Sequence, residues 1–380
     1  MGKEFLNLME DWQGWSSVSG KVKADESKIA SAIDLLENKA GDPAYVHEFK
    51  MKEAITTSDF PYLFGQVLER DILARYQTAP TDWQPYTKMR NVKDFRIVDI
   101  HKVQGNDNIL PEVAQKGEYL VSPMSDFYYS LAVKKYGRQF DISWESVIND
   151  YYAAFGDLPQ RFADAAINTE AYQVSALITS ATGPNALLFG APITDIDGQA
   201  VTNRGTLQLT PTNLATTLGL MAAQVDVQGK PLGIRGIHVV VPPVLEITAR
   251  QILTSTALRM AMTYPQAGIT ANVLADLGLQ LHINPWLPVI DVSGNGNTTW
   301  YIFAEPSQGA AVYVARLRGY EQPEICMKDS DKVAMTGGAL SPFTGDFATD
   351  NIFYRVRHVF GGVQGDPRFC YSQLGTTQVS

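Results

Sequence analysis

Hydrophobic positions are sparse and weakly periodic at the start of the chain. Residues 1 to about 60 are mostly polar. Only Ser27 to Asn38 carries helical spacing, with Ile29, Ile33 and Leu36 on one face, and the rest of this segment reads as an extended arm. From Asp59 to Tyr76 the spacing becomes helical. Leu63, Val67, Leu68, Ile72 and Leu73 recur on one side, Asp59 is the expected N-cap, and Pro61 sits in the first turn. Pro80 and Pro85 bracket a loop.

The period then drops to two. Val92 to Val103 reads Val-Lys-Asp-Phe-Arg-Ile-Val-Asp-Ile-His-Lys-Val. Tyr119 to Ile142 is strand-like through Tyr128, Leu131, Val133, Tyr136 and Phe140. Gln104 to Glu118, rich in Gly, Asn and Asp, separates them, so the pattern predicts a long antiparallel hairpin. An arm of this length reaches on the order of 40 Å at 3.3 Å per residue. An isolated two-stranded ribbon is only marginally stable in water, so it is expected to lie on a neighbouring subunit.

Two helices are predicted next. Ser143 caps the first, Trp144, Val147, Ile148, Tyr151 and Phe155 form its apolar face, and Gly156 ends it. Asp157 caps the second, with Pro159 in its first turn. Phe162, Ala166, Glu170, Val174 and Ile178 mark its i, i+4 ridge as far as about Ser180. Residues 185 to 209 read as a loop with turns at Asp197-Gly198 and Arg204-Gly205.

From Thr210 the pattern is helix, strand, helix, strand. Pro211 opens a helix with Leu214, Leu218 and Met221, and Ile237 to Val241 is a buried strand. Pro243 opens a helix with Val244, Ile247, Ile252 and Leu253, and Leu279 to Ile283 is a strand. Asn295-Gly296 is expected to turn a hairpin between Val289–Val292 and Thr299–Phe303. Ala311 to Leu317, Glu324 to Met327 and Phe353 to Val359 complete a β-rich tail. There is no internal repeat and no low-complexity tract. The fold class is α+β.

Composition narrows the function. Hydrophobic residues make up 45% and charged residues 19% of the 380, which is globular. The formal net charge is −9, which repels DNA on average and suits the wall of a container better than a nucleic-acid reader. The two cysteines, Cys326 and Cys370, form no CxxC pair and read as buried thiols. Met1-Gly2-Lys3-Glu4 opens no apolar signal region, and no apolar run spans a bilayer. The expectation is cytosolic synthesis with no membrane partner.

Catalytic motifs are missing. The five histidines, His47, His101, His238, His282 and His358, form no HxH or HExxH spacing. Gly20-Lys21 lacks the rest of a phosphate loop. Gly294-Asn295-Gly296 precedes a strand, so no helix N-terminus faces a phosphate. No G-x-S-x-G elbow is present. Neither cofactor, metal nor enzymatic activity is expected. The informative charges lie on the hairpin and its approach. Lys88, Arg90, Lys93, Arg96 and Lys102 are basic, and Glu112, Glu118 and Asp126 on the return half are acidic. They read either as solvated alternation on a ribbon face or as contacts that fix register between adjacent subunits.

Several strings, taken in order, carry a family resemblance. They are Val92-Lys93-Asp94-Phe95, Gly117-Glu118-Tyr119, Tyr136-Gly137-Arg138, Ile148-Asn149-Asp150, Ala154-Phe155 and Leu158-Pro159. Val240-Val241-Pro242-Pro243 with Leu245-Glu246, Trp300 to Ala304, and Val356 to Gly361 follow. The chain resembles the major capsid proteins of tailed bacteriophages with the Hong Kong 97-type fold, in the Mu-type head-subunit branch. One departure is Tyr151, where the family often has a second acidic residue after Ile-Asn-Asp.

The resemblance implies an N-terminal arm with leading helix (1–85), an E-loop hairpin (86–143), and a peripheral domain with spine helix (144–204). It further implies an axial domain (205–310) and returning C-terminal strands (311–380). It implies self-assembly into hexamers and pentamers that enclose double-stranded DNA, with a separate scaffold, a portal and possible decoration proteins as partners. The protein is then a virion component assembled in the host bacterial cytoplasm. Lys102 and Lys116 are the lysines available for the inter-subunit cross-link that some members form. An encapsulin-like nanocompartment shell and a soluble α+β enzyme are the alternatives.

Overall fold

The computed structural model describes residues 73, 76–77, 81–105, 112–113, 115–119, 124–143, 152–226, 229–255, 257–260, 268–333, 335 and 345–377. The expected arm and its 27–38 helix, most of the 59–76 helix, and residues 144–151 of the short helix lie outside them. Leu73, Tyr76 and Gln77 are helical.

The chain divides into two units. The larger comprises residues 71–140, 153–326 and 354–380. Its first sheet contains β1 (Lys88–Val92), β9 (Val312–Leu317), β11 (Asn351–Gln364) and β10 (Glu324–Met327) in that order, with β4 (Val133–Ser143) also pairing with β11. β1 runs parallel to β9, from Lys88 opposite Tyr313 to Val92 opposite Leu317, and β11 runs antiparallel to β9.

The helix α1 (Tyr152–Ile178) serves this sheet. Its ridge residues Ala166, Val174 and Ile178 are buried, and Val174 and Ile178 share one core with Trp83, Tyr86, Val312, Val314 and Phe360. Each such aliphatic burial contributes about 1.5–3 kcal/mol. α1 is one helix where two were expected. Gly156 and Pro159 fall inside its first turns and do not break it. A proline there forfeits one backbone bond, and glycine only lowers propensity. Ser143, expected as a cap, ends β4 instead.

The second sheet has the order β7 (Gln280–Ile283), β6 (Gly236–Val241), β8 (Trp300–Ala304), β12 (Cys370–Thr377), β5 (Arg204–Leu207). Helices α2 (Pro211–Ala222) and α3 (Glu246–Thr254) add Leu214, Met221, Ala249 and Ile252 to a core with Val239, Val241, Trp300 and Ile302. Thr210 caps α2 by accepting from the Asn213 amide at 3.2 Å.

The Asn295-Gly296 hairpin is not formed. Leu287–Ile290 is a helical turn, and the Asn295 carbonyl accepts from the Thr298 and Thr299 amides at 3.0 and 2.9 Å. β8 is buried at all five positions because it is a central strand between β6 and β12, which excludes a local partner. β12 and β5 were not expected as strands; β5 lies inside the expected 185–209 loop. Val244 and Ile247 are 65% and 70% exposed, so they do not form the buried face of the helix opened by Pro243.

The ribbon consists of β2 (Val98–Gly105) and β3 (Met124–Leu131), paired antiparallel from Val98 opposite Leu131 to Gly105 opposite Met124. It is shorter than the hairpin expected from Val92–Val103 and Tyr119–Ile142, because β1 and β4 at its two ends belong to the first sheet. Ala132 separates β3 from β4. A Cβ on Gly361 of β11 would lie 2.2 Å from the Ala132 carbonyl oxygen, so this close approach needs glycine.

The smaller unit comprises residues 1–70, 141–152 and 327–353. In it the Lys328 amide donates to the Phe353 carbonyl at 2.8 Å, and Asn351 Nδ2 donates to Asp141 Oδ2 at 2.8 Å.

Candidate functional site

Period two decides which ribbon residues meet the body. Ile100 and Tyr129 are opposite each other and buried, in a cluster with Val92, Leu131, Val133, Ala315, Leu317 and Val359. His101, Tyr128 and Ser130 are exposed on the other face, where His101 Nδ1 lies 2.8 Å from Asp126 Oδ2. Lys102 is two residues beyond Ile100 and therefore faces inward.

There it enters an acidic nest. Lys102 Nζ lies 2.7 Å from Asp195, 3.3 Å from Asp197 and 2.6 Å from Asp366. Arg368 reaches the same three carboxylates, with Nη1 at 3.3 Å from Asp195 and 3.2 Å from Asp366, and Nη2 at 2.6 Å from Asp197. The Tyr129 hydroxyl donates to Asp195 Oδ1 at 3.1 Å. Local chemistry builds the nest. Asp195 and Asp197 lie in the turn closed by the Gly198 amide on the Asp195 carbonyl, where Gly198 takes a φ of 82°. Asp366 Oδ1 accepts from the Arg368 amide at 3.0 Å, and buried Asn203 donates to the Pro367 carbonyl at 2.8 Å.

Burial raises the Asp195 carboxyl above its ordinary range, and the Asp366 charge adds to this over the opposing pull of Lys102. Burial also acts upward on Asp197, but the Arg368 hydrogen bond and the Gln199 amide bring it below its ordinary value. Burial lowers the Lys102 ammonium, but Asp366 and Asp195 more than reverse this and raise it.

A second charged cluster lies under α1. Glu170, fully buried, accepts from the Tyr76 hydroxyl at 2.5 Å and from Arg316 Nη2 at 3.0 and 2.9 Å, and its Oε1 lies 2.7 Å from His358 Nε2. Burial raises the carboxyl, yet the bonds from His358, Arg316 and Tyr76 leave it below its ordinary value. A third cluster joins neighbouring strands. His238 Nδ1 lies 3.0 Å from His282 Nε2, and His238 Nε2 lies 3.2 Å from Glu305. Burial, then the His238 charge, lowers His282 to about 4.

The other residues expected at assembly contacts are at the surface. Lys88 is half-buried in β1, while Arg90, Lys93, Arg96, Glu112, Lys116 and Glu118 are exposed. Arg96 pairs with Asp94 at 3.8 Å. Lys102 alone has a different place, as an internal anchor. None of the three clusters was read from the sequence, but Glu170 on an otherwise apolar ridge and Lys102 in phase with Ile100 were signals of two. Among the described residues no group of three or more His, Cys, Asp or Glu is placed to hold a metal ion. No described helix is long and apolar enough to cross a membrane.

The family described as phage capsid protein matches residues 128–373, from β3 to β12. The chain belongs to that family. As a capsid protein it is a structural component of the virion shell and assembles with copies of itself. Solved structures similar to this capsid protein include the capsid of cyanophage P-SCSP1u, at 14% identity and a TM-score of 0.46 over 77% of this chain and 88% of that one. The capsid of Myoviridae phage XM1 follows at 12% and 0.44 over 78% and 91%. The holo-SrpI encapsulin complex from Synechococcus elongatus PCC 7942 stands at 11% and 0.45 over 80% and 91%. No curated protein matches.

Proposed function

We infer that the chain is the major head subunit of a tailed phage, with the Hong Kong 97-type fold and in the Mu-type branch, closing hexamers and pentamers around double-stranded DNA. The ribbon carries this reading. Its outer side leaves Tyr128 57% exposed, its first residue Val98 is 39% exposed, and the turn leading into it leaves Phe95 53% and Ile97 67% exposed. These apolar groups are buried when the ribbon lies on a neighbouring copy. Lys88, Arg90, Lys93, Arg96 and Lys116 meet acidic groups such as Glu112 and Glu118 of adjacent copies, which fixes register more than it adds affinity.

Residues 1–85 act as the arm, 86–143 as the E-loop region, 144–204 as the peripheral domain, 205–310 as the axial domain, and 311–380 as the returning strands. Modest contacts multiply in a closed lattice, because a subunit must lose many at once to leave. The net charge of −9 keeps the wall from adhering to packed DNA. Assembly takes place in the host cytoplasm with separate scaffold, portal and decoration proteins, and the subunit performs no catalysis. Electron microscopy of the expressed chain tests the reading: it forms closed shells, and deletion of Asn106 to Lys116 leaves soluble subunits without shells. Shells of normal stability from the deletion overturn it.

A further inference from the structure

The nest under the ribbon is charge-unbalanced. Asp195, Asp197 and Asp366 stand against Lys102 and Arg368, three carboxylates to two cations, and none of the five side chains is more than 18% exposed. Asp197 is satisfied on its own, by Arg368 Nη2 at 2.6 Å and the Gln199 amide at 3.1 Å. The surplus falls on the other two. Oδ2 of Asp195 and Oδ2 of Asp366 both lie against Lys102 Nζ and Arg368 Nη1, so two like charges converge on the same donors. The other groups facing the pair include the Tyr129 hydroxyl on β3, Tyr313 on β9, whose ring centroid lies 6.2 Å from that of Tyr129, and the buried Cys370 thiol on β12, which burial and the Asp366 charge push up. Exposed Arg90 on β1 acts on Tyr313.

We propose that Asp195, crowded by Asp366 on shared donors, is a one-proton site that sets how firmly the ribbon is latched to the body, with proton uptake tightening the latch and proton loss loosening it. A like charge on the same donors favours the protonated form of a buried carboxyl, and one proton on Asp195 removes its repulsion with Asp366. The ribbon feels the change because Lys102 on β2 and Tyr129 on β3 both reach the body through Asp195. After uptake the charges balance at two against two: with the proton on Oδ1 the Tyr129 hydroxyl turns to accept it, and Oδ2 still accepts from Lys102. Burial and the Asp366 charge raise the Asp195 carboxyl above its ordinary value over the opposing pull of Lys102. Opening the ribbon admits water to the site and relieves that burial, so the latched state holds the proton more tightly. Latching therefore strengthens as pH falls through the raised value and weakens above it. The inference goes beyond the assembly reading, and it is measured on unassembled chains, so shell formation and latch behaviour fail separately.

Hydrogen exchange on the full chain in dilute solution tests it between pH 7 and pH 4.5, with rates corrected for intrinsic pH dependence. Amides of Val98–Gly105 and Met124–Leu131 report the ribbon, and those of Trp300–Ala304 give the global reference. In the wild type, ribbon protection relative to the reference rises toward acid, by about tenfold for each unit of pKa difference between latched and open states. Asp195→Asn and Asp366→Asn each balance the charge permanently, so each gives high, pH-independent ribbon protection. Lys102→Met gives low protection throughout. Wild-type protection that is flat or falls toward acid overturns the proposal, as do amide variants less protected than wild type at pH 7. If one amide variant does not fold, the other and the wild-type profile decide.

Discussion

Lys102 Nζ lies 2.6 Å from Oδ2 of Asp366, a residue 264 positions later in the numbering, and this bond ties the ribbon to the turn before the last strand. A lysine that reads as a surface charge thus acts as an anchor inside the subunit. Removing it leaves three buried carboxylates against Arg368 alone. Lys102→Met is expected to destabilise the chain by about 3 kcal/mol. Lys93→Met, at an exposed position, stays within about 0.5 kcal/mol. Denaturant midpoints of the two variants check the contrast.

Glu170 makes the larger core sensitive to acid. Its folded-state value lies below the ordinary carboxylate value of 4.5. The stability it contributes is therefore present above 4.5 and lost as pH falls through the depressed folded value. Glu170→Gln should cost about 3–5 kcal/mol at pH 7, since it strips a buried partner from Arg316, and should flatten the acid limb of a stability-against-pH curve. An unchanged acid limb would refute the assignment.

His282 acts over a different range. Its folded value is lowered from 6.5 to about 4. The unfolded chain then binds a proton first as pH falls, so stability declines between 6.5 and about 4 and levels off below. The decline is on the order of 3 kcal/mol. His282→Gln keeps a polar partner for His238 and removes most of this slope, which thermal unfolding at stepped pH measures.

Tyr128 separates assembly from folding. It is 57% exposed on the outer ribbon face. Tyr128→Ser should leave the midpoint of the unassembled chain within about 0.5 kcal/mol while lowering the denaturant concentration at which shells dissociate. Equal losses in both measurements would place the side chain in the fold and not at a contact.

Gly361→Ala tests the ribbon's root. The new Cβ would lie 2.2 Å from the Ala132 carbonyl oxygen, so β4 and β11 must shift apart. A loss of about 1–3 kcal/mol is expected, with increased exchange of β4 amides.

Much of the architecture was legible because it is written locally. The period-two pattern around Ile100 and the strand-like run through Leu131 marked both ribbon strands, although Tyr128, read with that run, is exposed and Tyr129 is the buried one. The ridge Ala166, Glu170, Val174 and Ile178 marked the buried face of α1. Pro211 and Thr210 marked the start of α2. The errors came where local signals met long-range packing. Gly156 and Pro159 suggest a break, but α1 runs through them. Asn295-Gly296 suggests a hairpin, but β8 is taken by β6 and β12.

By itself the sequence determined much of the alternation of elements, the inward phase of β2, of α1 from Phe162 onward and of α2, and the capsid resemblance, because periodicity and turn chemistry act over a few residues. Only the tertiary structure decided which charges are internal. Lys102 finds Asp195 and Asp366, Glu170 finds Arg316 and His358, and His238 finds His282 across separations that no spacing encodes. A buried charge requires a partner close in space, not close along the chain, and folding alone supplies that partner.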